Sequence, residues 1–330
     1  MSPGDRTDSL RVKVLFKVKI LVTGGSGFIG SALAGNFIEQ GHEVRVLDNG
    51  SRGDLRRLKK YESHFDYLEG DVRDSEKVDK ALRDIEVVFH LAYVNGTANF
   101  YRQPINILDI AIDGLRNLIN SKFRGSLDQI YLASSSEVYQ NPGVFPTPTN
   151  VPLIVPDVTN ARYSYGLGKI IQEFMLFHSD LVDVKKVVFR PHNIYGPDMG
   201  NMHVIPELFE KILSAEDGQL TLKGDGTHTR SFCHISDFAD AIDLIMGSST
   251  TGEILNIGTL EEVSVKELAH RIMDELDMHM NVIFSDTPLG ETSRRVPDIT
   301  RIQEMGFTQK ISLSEGLKHY NLWINSKGKP

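Results

Sequence analysis

The sequence has a single cysteine, Cys233, among 330 residues. That excludes an intrachain disulfide, and a reducing compartment such as the cytoplasm is the simple expectation. No run approaches the roughly 18 uninterrupted apolar residues of a membrane span. The stretch from Leu10 to Ile20 carries Arg11, Lys13, Lys17 and Lys19, which break up the apolar region a secretion signal needs. Without such a signal, the glycosylation triplets Asn49-Gly50-Ser51 and Asn95-Gly96-Thr97 read as chance. Positive charge is also in short supply. Lysine and arginine total 36 against 44 aspartates and glutamates, a formal net charge of −8. This argues against a nucleic-acid footprint, which is normally basic. A negatively charged small substrate stays open, because a few local arginines can hold it. Among eleven histidines there is no His-Glu-x-x-His pattern and no Cys/His cluster, so no metal site is expected. A Gly-x-Ser-x-Gly elbow, a tandem repeat and a low-complexity tract are also missing.

What is present is an ordinary globular composition, 40% hydrophobic and 24% charged, in a chain long enough for roughly two domains. Residues 1–16 read as a polar extension. From there short apolar runs alternate with helical spacing. Strands are expected at 17–23, 43–48, 66–69, 87–92, 129–134 and 186–190. Helices are expected at 28–40, 75–84, 104–122 and 164–178. That alternation predicts an α/β fold with a Rossmann-like doubly wound parallel sheet over 17–190. Beyond Arg190, glycine and proline loops such as Tyr195-Gly-Pro-Asp-Met-Gly200 interrupt shorter elements. Residues 191–330 therefore read as a smaller C-terminal substrate-binding domain, with helices near 236–246 and 264–277. Elements within about 234–258 are expected to return to the main sheet.

Thr23-Gly-Gly-Ser-Gly-Phe-Ile-Gly30 lies between a strand and a helix. In this setting the glycines allow a sharp turn and bring backbone N–H groups against a pyrophosphate. The last one lets helix and strand pack closely. Asp48 ends the second strand, 18 residues after Gly30. A carboxylate there accepts hydrogen bonds from an adenosine ribose and repels a 2′-phosphate, which favours NAD over NADP. Arg52 nearby could tolerate that phosphate. Tyr165 and Lys169 are four residues apart, hence on one helix face. An ammonium close by, together with a positive nicotinamide ring, favours the phenolate and makes Tyr165 a plausible general base.

Taken in order, Gly24-x-x-Gly-x-x-Gly30, Asp71-Val72, His90-Leu-Ala92, Ser134-Ser-Ser-Glu-Val-Tyr139 and Tyr165-x-x-x-Lys169 resemble the extended short-chain dehydrogenase/reductases. Within them, the chain is similar to the NAD-dependent nucleotide-sugar epimerases and dehydratases from about residue 17 to 324. The resemblance includes Arg190-Pro-His-Asn-Ile-Tyr-Gly-Pro197, Gly224-Asp-Gly-Thr-His-Thr-Arg-Ser-Phe232 and Arg294-Arg-Val-Pro-Asp298. It implies that Gly24, Gly27, Phe28, Ile29, Gly30, Asp48, Asn49 and Arg52 hold one end of NAD. Asp71, Val72, Leu91, Ala92, Tyr93, Tyr165, Lys169 and His192 would hold the rest. It also implies Ser135, Tyr165 and Lys169 as the catalytic set, with Ser135 relaying the proton and Lys169 holding the nicotinamide ribose. For the nucleotide-diphosphate sugar it implies Ser136, Asn193, Val204, Arg230 and Arg295, with Arg294 as an alternative clamp. Glu137 is either an auxiliary acid/base or a hydrogen-bond acceptor for substrate. His203 and His234 also fall near the substrate region.

Several positions depart from the family pattern. Ser136 stands where the dehydratases carry an acid, which weakens a water-elimination reading, while Ser136-Glu137 resembles the nucleotide-sugar decarboxylases. Gln140 replaces a usual glycine, Tyr93 a small residue, Ala111 an asparagine and Leu289 an arginine. A bulky Tyr93 is expected to narrow or reshape the sugar pocket. The expected activity is C4 epimerisation through a transient 4-keto sugar, with decarboxylation or dehydration as the alternatives. A non-catalytic dinucleotide sensor is disfavoured by the intact Ser135, Tyr165 and Lys169. The family commonly forms homodimers through its two long helices. Ile105, Leu108, Ile112 and Leu115 would supply that face or cover the sheet.

Overall fold

The computed structural model describes residues 17–286 and 292–326. The expected extension 1–16 and the departure at Leu289 lie outside them. The first half alternates β1 (Lys19–Thr23), α1 (Phe28–Glu39), β2 (Glu43–Asp48), β3 (Phe65–Glu69), α2 (Ser75–Leu82), β4 (Val87–His90), α3 (Thr97–Arg102), α4 (Pro104–Ile119), β5 (Gln129–Ala133), α5 (Ser164–Phe177) and β6 (Lys185–Pro191). The second half holds β7 (Ile194–Tyr195), α6 (Val204–Ser214), β8 (Gln219–Lys223), β9 (Thr229–Ser231), β10 (Cys233–His234), α7 (Ile235–Gly247), β11 (Glu253–Ile257) and β12 (Glu262–Ser264). It ends with α8 (Val265–Glu275), β13 (Asn281–Ser285), β14 (Arg294–Arg295), α9 (Thr300–Glu304) and α10 (Leu313–Ser326).

Seven parallel strands form the main sheet in the order β11-β6-β5-β4-β1-β2-β3. The doubly wound α/β architecture expected from the sequence is present. The chain runs outward from β1 in one direction and from β4 in the other. The carboxyl ends of β1 and β4 therefore flank a crevice, where open α/β sheets bind their ligands. Thr23 pairs with Leu47 on one side and His90 on the other, so the glycine loop leaves the sheet at that crevice.

Because both faces of the sheet are covered, its central strands β1, β4 and β5 are largely apolar, while the edge strand β3 carries exposed Asp66 and Glu69. Ile20 and Val22 pack with Leu33 and Phe37 of α1 and Phe238 and Ile242 of α7. Leu21, Val88 and Leu132 point the other way, against Ile107, Leu115 and Leu118 of α4 and Leu176 of α5. A third core joins Ile205, Phe209, Leu222, Leu268, Ile272 and Leu317 in the second half. Asp74 caps α2 by accepting from the N–H groups of Glu76 and Lys77, and Pro104 starts α4 where its missing N–H costs nothing.

Two strands are shorter than the pattern suggested. β4 stops at His90 and β5 at Ala133, because the residues that follow, Leu91 and Ala92 and then Ser134 and Ser135, leave the sheet to line the crevice. The sequence reading did not foresee α3, α6, α9 or α10.

Candidate active site

A cavity of about 400 Å³ opens at the crevice. At its floor Gly24 has φ +70°, and a Cβ there would lie 2.8 Å from Cα of Ala92. At Gly30 a Cβ would come within 2.2 Å of the Gly24 carbonyl. Glycine is thus a steric requirement at both positions. Gly27 caps α1 without a side chain, leaving first-turn N–H groups facing the cavity as an anion cradle. Asp48 braces this loop as well as facing the ribose end. Its carboxylate accepts from Ser26 N at 3.0 Å and Gly50 N at 2.9 Å. Asp71 is gripped by Arg73 and accepts from the Asn49 amide at 2.9 Å. Arg73 holds its carboxyl down at about 2. A glycine cradle, a helix start and a ribose carboxylate fit a dinucleotide.

Arg52 lines the cavity, but its guanidinium does not stand beside Asp48. It donates to the carbonyl of Asn95 across the opening. Its reach toward a 2′-phosphate, which the sequence left open, is directed elsewhere.

At the other end Ser135, Ser136, Glu137, Tyr165, Lys169, Asn193 and Arg295 share the wall. Ser135 follows β5 and caps the 3₁₀ turn Ser136–Tyr139, accepting from Glu137 N at 3.2 Å. Tyr165 lies in the first turn of α5 and Lys169 one turn on. Burial pushes Tyr165 up to about 12, against a downward pull from its hydrogen bond with Ser135 and from Arg52 and Arg295. Lys169 is wholly enclosed. Burial pushes it down to about 7, partly offset by Glu173. Its Nζ donates to the Ala133 carbonyl at 2.6 Å and Gln172 Oε1 at 3.1 Å. The sequence reading had the ammonium lowering the phenol. With protein groups alone, desolvation of the phenolate is the larger effect.

Glu137 lies between two arginines. Burial opposes its charge, yet Arg295 at 2.7 Å and Arg162 at 3.5 Å hold its carboxyl below the usual range. Glu173, on α5, forms a bidentate pair with Arg190 of β6 at 2.6 and 2.9 Å and accepts from the Ser134 hydroxyl. That pair ties the catalytic helix to the sheet.

Phe28, Ile29, Val72, Leu91, Ala92 and Tyr93 also line the cavity. Three other expected residues do not form its wall. His192 is buried behind it, with Nε2 3.2 Å from Asn256 Oδ1, and burial pushes it down to about 3. Val204 begins α6, while its neighbour His203 reaches the cavity. Arg230 turns to the carbonyls of Thr229 and Thr292, each at 2.7 Å. Arg294 pairs with Glu262 instead. His234 accepts from Ser236 N at the start of α7, away from the wall. Asn193 donates to the Ser231 carbonyl with φ +43°, which asparagine tolerates. The sequence reading missed Arg162, Phe100 and Arg57. Arg162, three residues before Tyr165, had a positional signal. Phe100 and Arg57 had none, because their places follow from loop paths. Among the described residues no cluster of His, Cys, Asp or Glu could hold a metal, and no helix is long and apolar enough to cross a membrane.

The fold and site define a dinucleotide-dependent enzyme of the extended Rossmann type. The profile of the NAD dependent epimerase/dehydratase family matches residues 20–258, and the chain belongs to that family, with NAD as its cofactor. A UDP-N-acetyl-alpha-D-glucosaminuronate decarboxylase of Bacillus cytotoxicus is 31% identical, over 93% of this chain and 98% of that one. UDP-glucuronic acid decarboxylase 5 of Arabidopsis thaliana is 30% identical, over 91% of this chain and 87% of that one. The crystal structure of the Thermotoga maritima UDP-glucose 4-epimerase with UDP-glucose superposes with a TM-score of 0.84. It is 29% identical and covers 94% of this chain and 99% of that one.

Proposed function

We propose that the chain is a nucleotide-sugar 4-epimerase working through a transient 4-keto sugar. The observation that carries this reading is the contrast between two groups at the sugar end. Ser135 and Tyr165 both line the cavity, with Ser135 pulling the phenol down, while Glu137 is tied by two arginines that hold its carboxyl below the usual range. A carboxyl held low by two arginines is a poor acid for a leaving hydroxyl, and Ser136 offers none, so water elimination is disfavoured. Ser135 orients the C4 hydroxyl, and Tyr165 takes its proton and later returns it. NAD, when bound, supplies the acceptor for the C4 hydride and gives it back within the cycle. The Gly24–Gly30 cradle holds the pyrophosphate and Asp48 the adenosine ribose. Ser136, Asn193 and Arg295 are the substrate contacts this reading favours.

The second reading is oxidation at C4 followed by decarboxylation of a uronic acid nucleotide. Arg295 and Arg162 set two positive charges against the one carboxylate of Glu137, and that surplus suits a substrate carboxylate. The decarboxylases among the relatives support it. Incubation with UDP-glucose, UDP-N-acetylglucosamine and UDP-glucuronic acid, followed by NMR and mass analysis, separates the two. A C4 epimer of unchanged mass supports the first reading. A pentose product with CO₂ overturns it in favour of the second. Retained activity in Tyr165→Phe would remove the base assignment from both.

Residues 17–190 are assigned to NAD and the later segment mainly to the nucleotide sugar, in a cytoplasmic homodimer. On the long helices Ile105 and Phe174 are 66% and 65% exposed, whereas Leu115 is fully buried. Light scattering in solution tests the dimer.

A further inference from the structure

Lys169 sits in an enclosure without a carboxylate in contact. Its Nζ meets the Ala133 carbonyl, Gln172 Oε1 and, 4.0 Å away, the face of the Tyr93 ring. That ring also packs nearly perpendicular to Tyr165, with centroids 5.1 Å apart at 77°. Phe100 stacks on Tyr165 from another side at 4.9 Å. The Tyr93 hydroxyl is shut off from solvent and has no hydrogen-bond partner. It points to the catalytic helix where residue 168 is glycine: a Cβ there would lie 2.0 Å from the hydroxyl oxygen.

We propose that Tyr93 is a positioning residue for the reaction, whose ring face holds the Lys169 ammonium and whose perpendicular packing fixes the Tyr165 ring, and that Gly168 is glycine to admit it. The inference rests on Tyr165 and Lys169 being the working base and its partner. A cation in a dry site is expensive unless something compensates its lost hydration. Two neutral oxygens do part of this. The negative face of an aromatic ring does more, because the attraction strengthens where water is excluded. Of the other titratable groups around Lys169, Glu173 supports its charge from a distance while its carboxylate is engaged by Arg190, and Tyr165 faces Ser135. His90, held by Thr23 at 2.8 Å, is kept neutral by burial. An unpartnered buried hydroxyl is unfavourable in itself, so the tyrosine is held there by its ring.

The test is the pH dependence of kcat, with NAD binding measured alongside. Loss of the ring face in Tyr93→Leu makes the ammonium release its proton more readily. The alkaline limb is expected to move down by about half a unit to one unit, the size of a dry cation–π contact. Tyr93→Phe keeps the ring and should leave that limb where it is in the parent. Superimposable limbs for the parent and Tyr93→Leu would overturn the proposal. A packing arm needs no assumption about catalysis. Gly168→Ala is expected to lower the unfolding midpoint and weaken NAD binding. Adding Tyr93→Phe should restore most of both, since the contacts left to the new methyl are the Ala111 Cβ at 3.1 Å and the nearest ring carbon at 3.3 Å. Failure of that rescue overturns the steric half. Should Tyr165→Phe remain active, the base assignment fails on its own, whatever the rescue shows.

Discussion

Removing the Glu173 carboxylate should cost the protein much of its stability. Glu173 and Arg190 are 4% and 1% exposed, so neither charge has water as a fallback. Arg190 donates twice to Glu173, once to the Thr149 carbonyl at 3.1 Å, and lies over the Tyr139 ring at 4.7 Å. In Glu173→Ala the guanidinium keeps only the last two. Breaking one partner of such a buried pair costs about 3–5 kcal/mol. For a chain of this length the unfolding entropy is roughly 0.7 kcal/mol/K, so Tm should fall by about 4–7 °C. Urea titration and calorimetry measure both quantities. The double variant Glu173→Leu, Arg190→Met removes both charges and should recover most of the loss, because apolar replacements of such pairs are often neutral or better. A loss below about 1 kcal/mol in Glu173→Ala, or a double variant no better than the single, would refute the claim that an uncompensated charge is the cause.

Three further outcomes follow from the geometry. Gly30→Ala places a methyl 2.2 Å from the Gly24 carbonyl; the cradle must move, stability should fall by about 1–3 kcal/mol, and calorimetric NAD affinity should drop with it. Asp48→Asn can accept only one of the two loop N–H bonds, so NAD should bind roughly tenfold or more weakly. NADP should not gain, since Arg52 is turned to Asn95; tight NADP binding by this variant would count against that placement. Burial holds His90 and His192 down at about 3, whereas the unfolded imidazoles protonate near 6.5. Below about pH 6.5 the unfolded chain therefore binds more protons than the folded one. Stability present above that pH is lost as pH falls toward 3, by up to about 1.4 kcal/mol per pH unit for each histidine. A urea midpoint unchanged between pH 7 and pH 5 would contradict it.

The sequence by itself determined the parallel sheet, the glycine loop and the order of the catalytic motifs. These are local matters: apolar strand runs, helical spacing, and a turn that tolerates no Cβ. The family resemblance of Ser135, Tyr165 and Lys169 was legible for the same reason, since each is fixed by its place at a strand end or on a helix face. Only the tertiary structure decided what surrounds them. Arg295, 158 residues from Glu137, pulls that carboxyl below its usual range. Arg230 and His192 looked equivalent to neighbours that reach the cavity, yet backbone carbonyls and Asn256 claim them. The role of Tyr93 was hidden because it depends on Gly168, Lys169 and Tyr165 arriving on a helix some seventy residues later. Charge state and enclosure depend on distances across the chain, and sequence spacing carries no record of those.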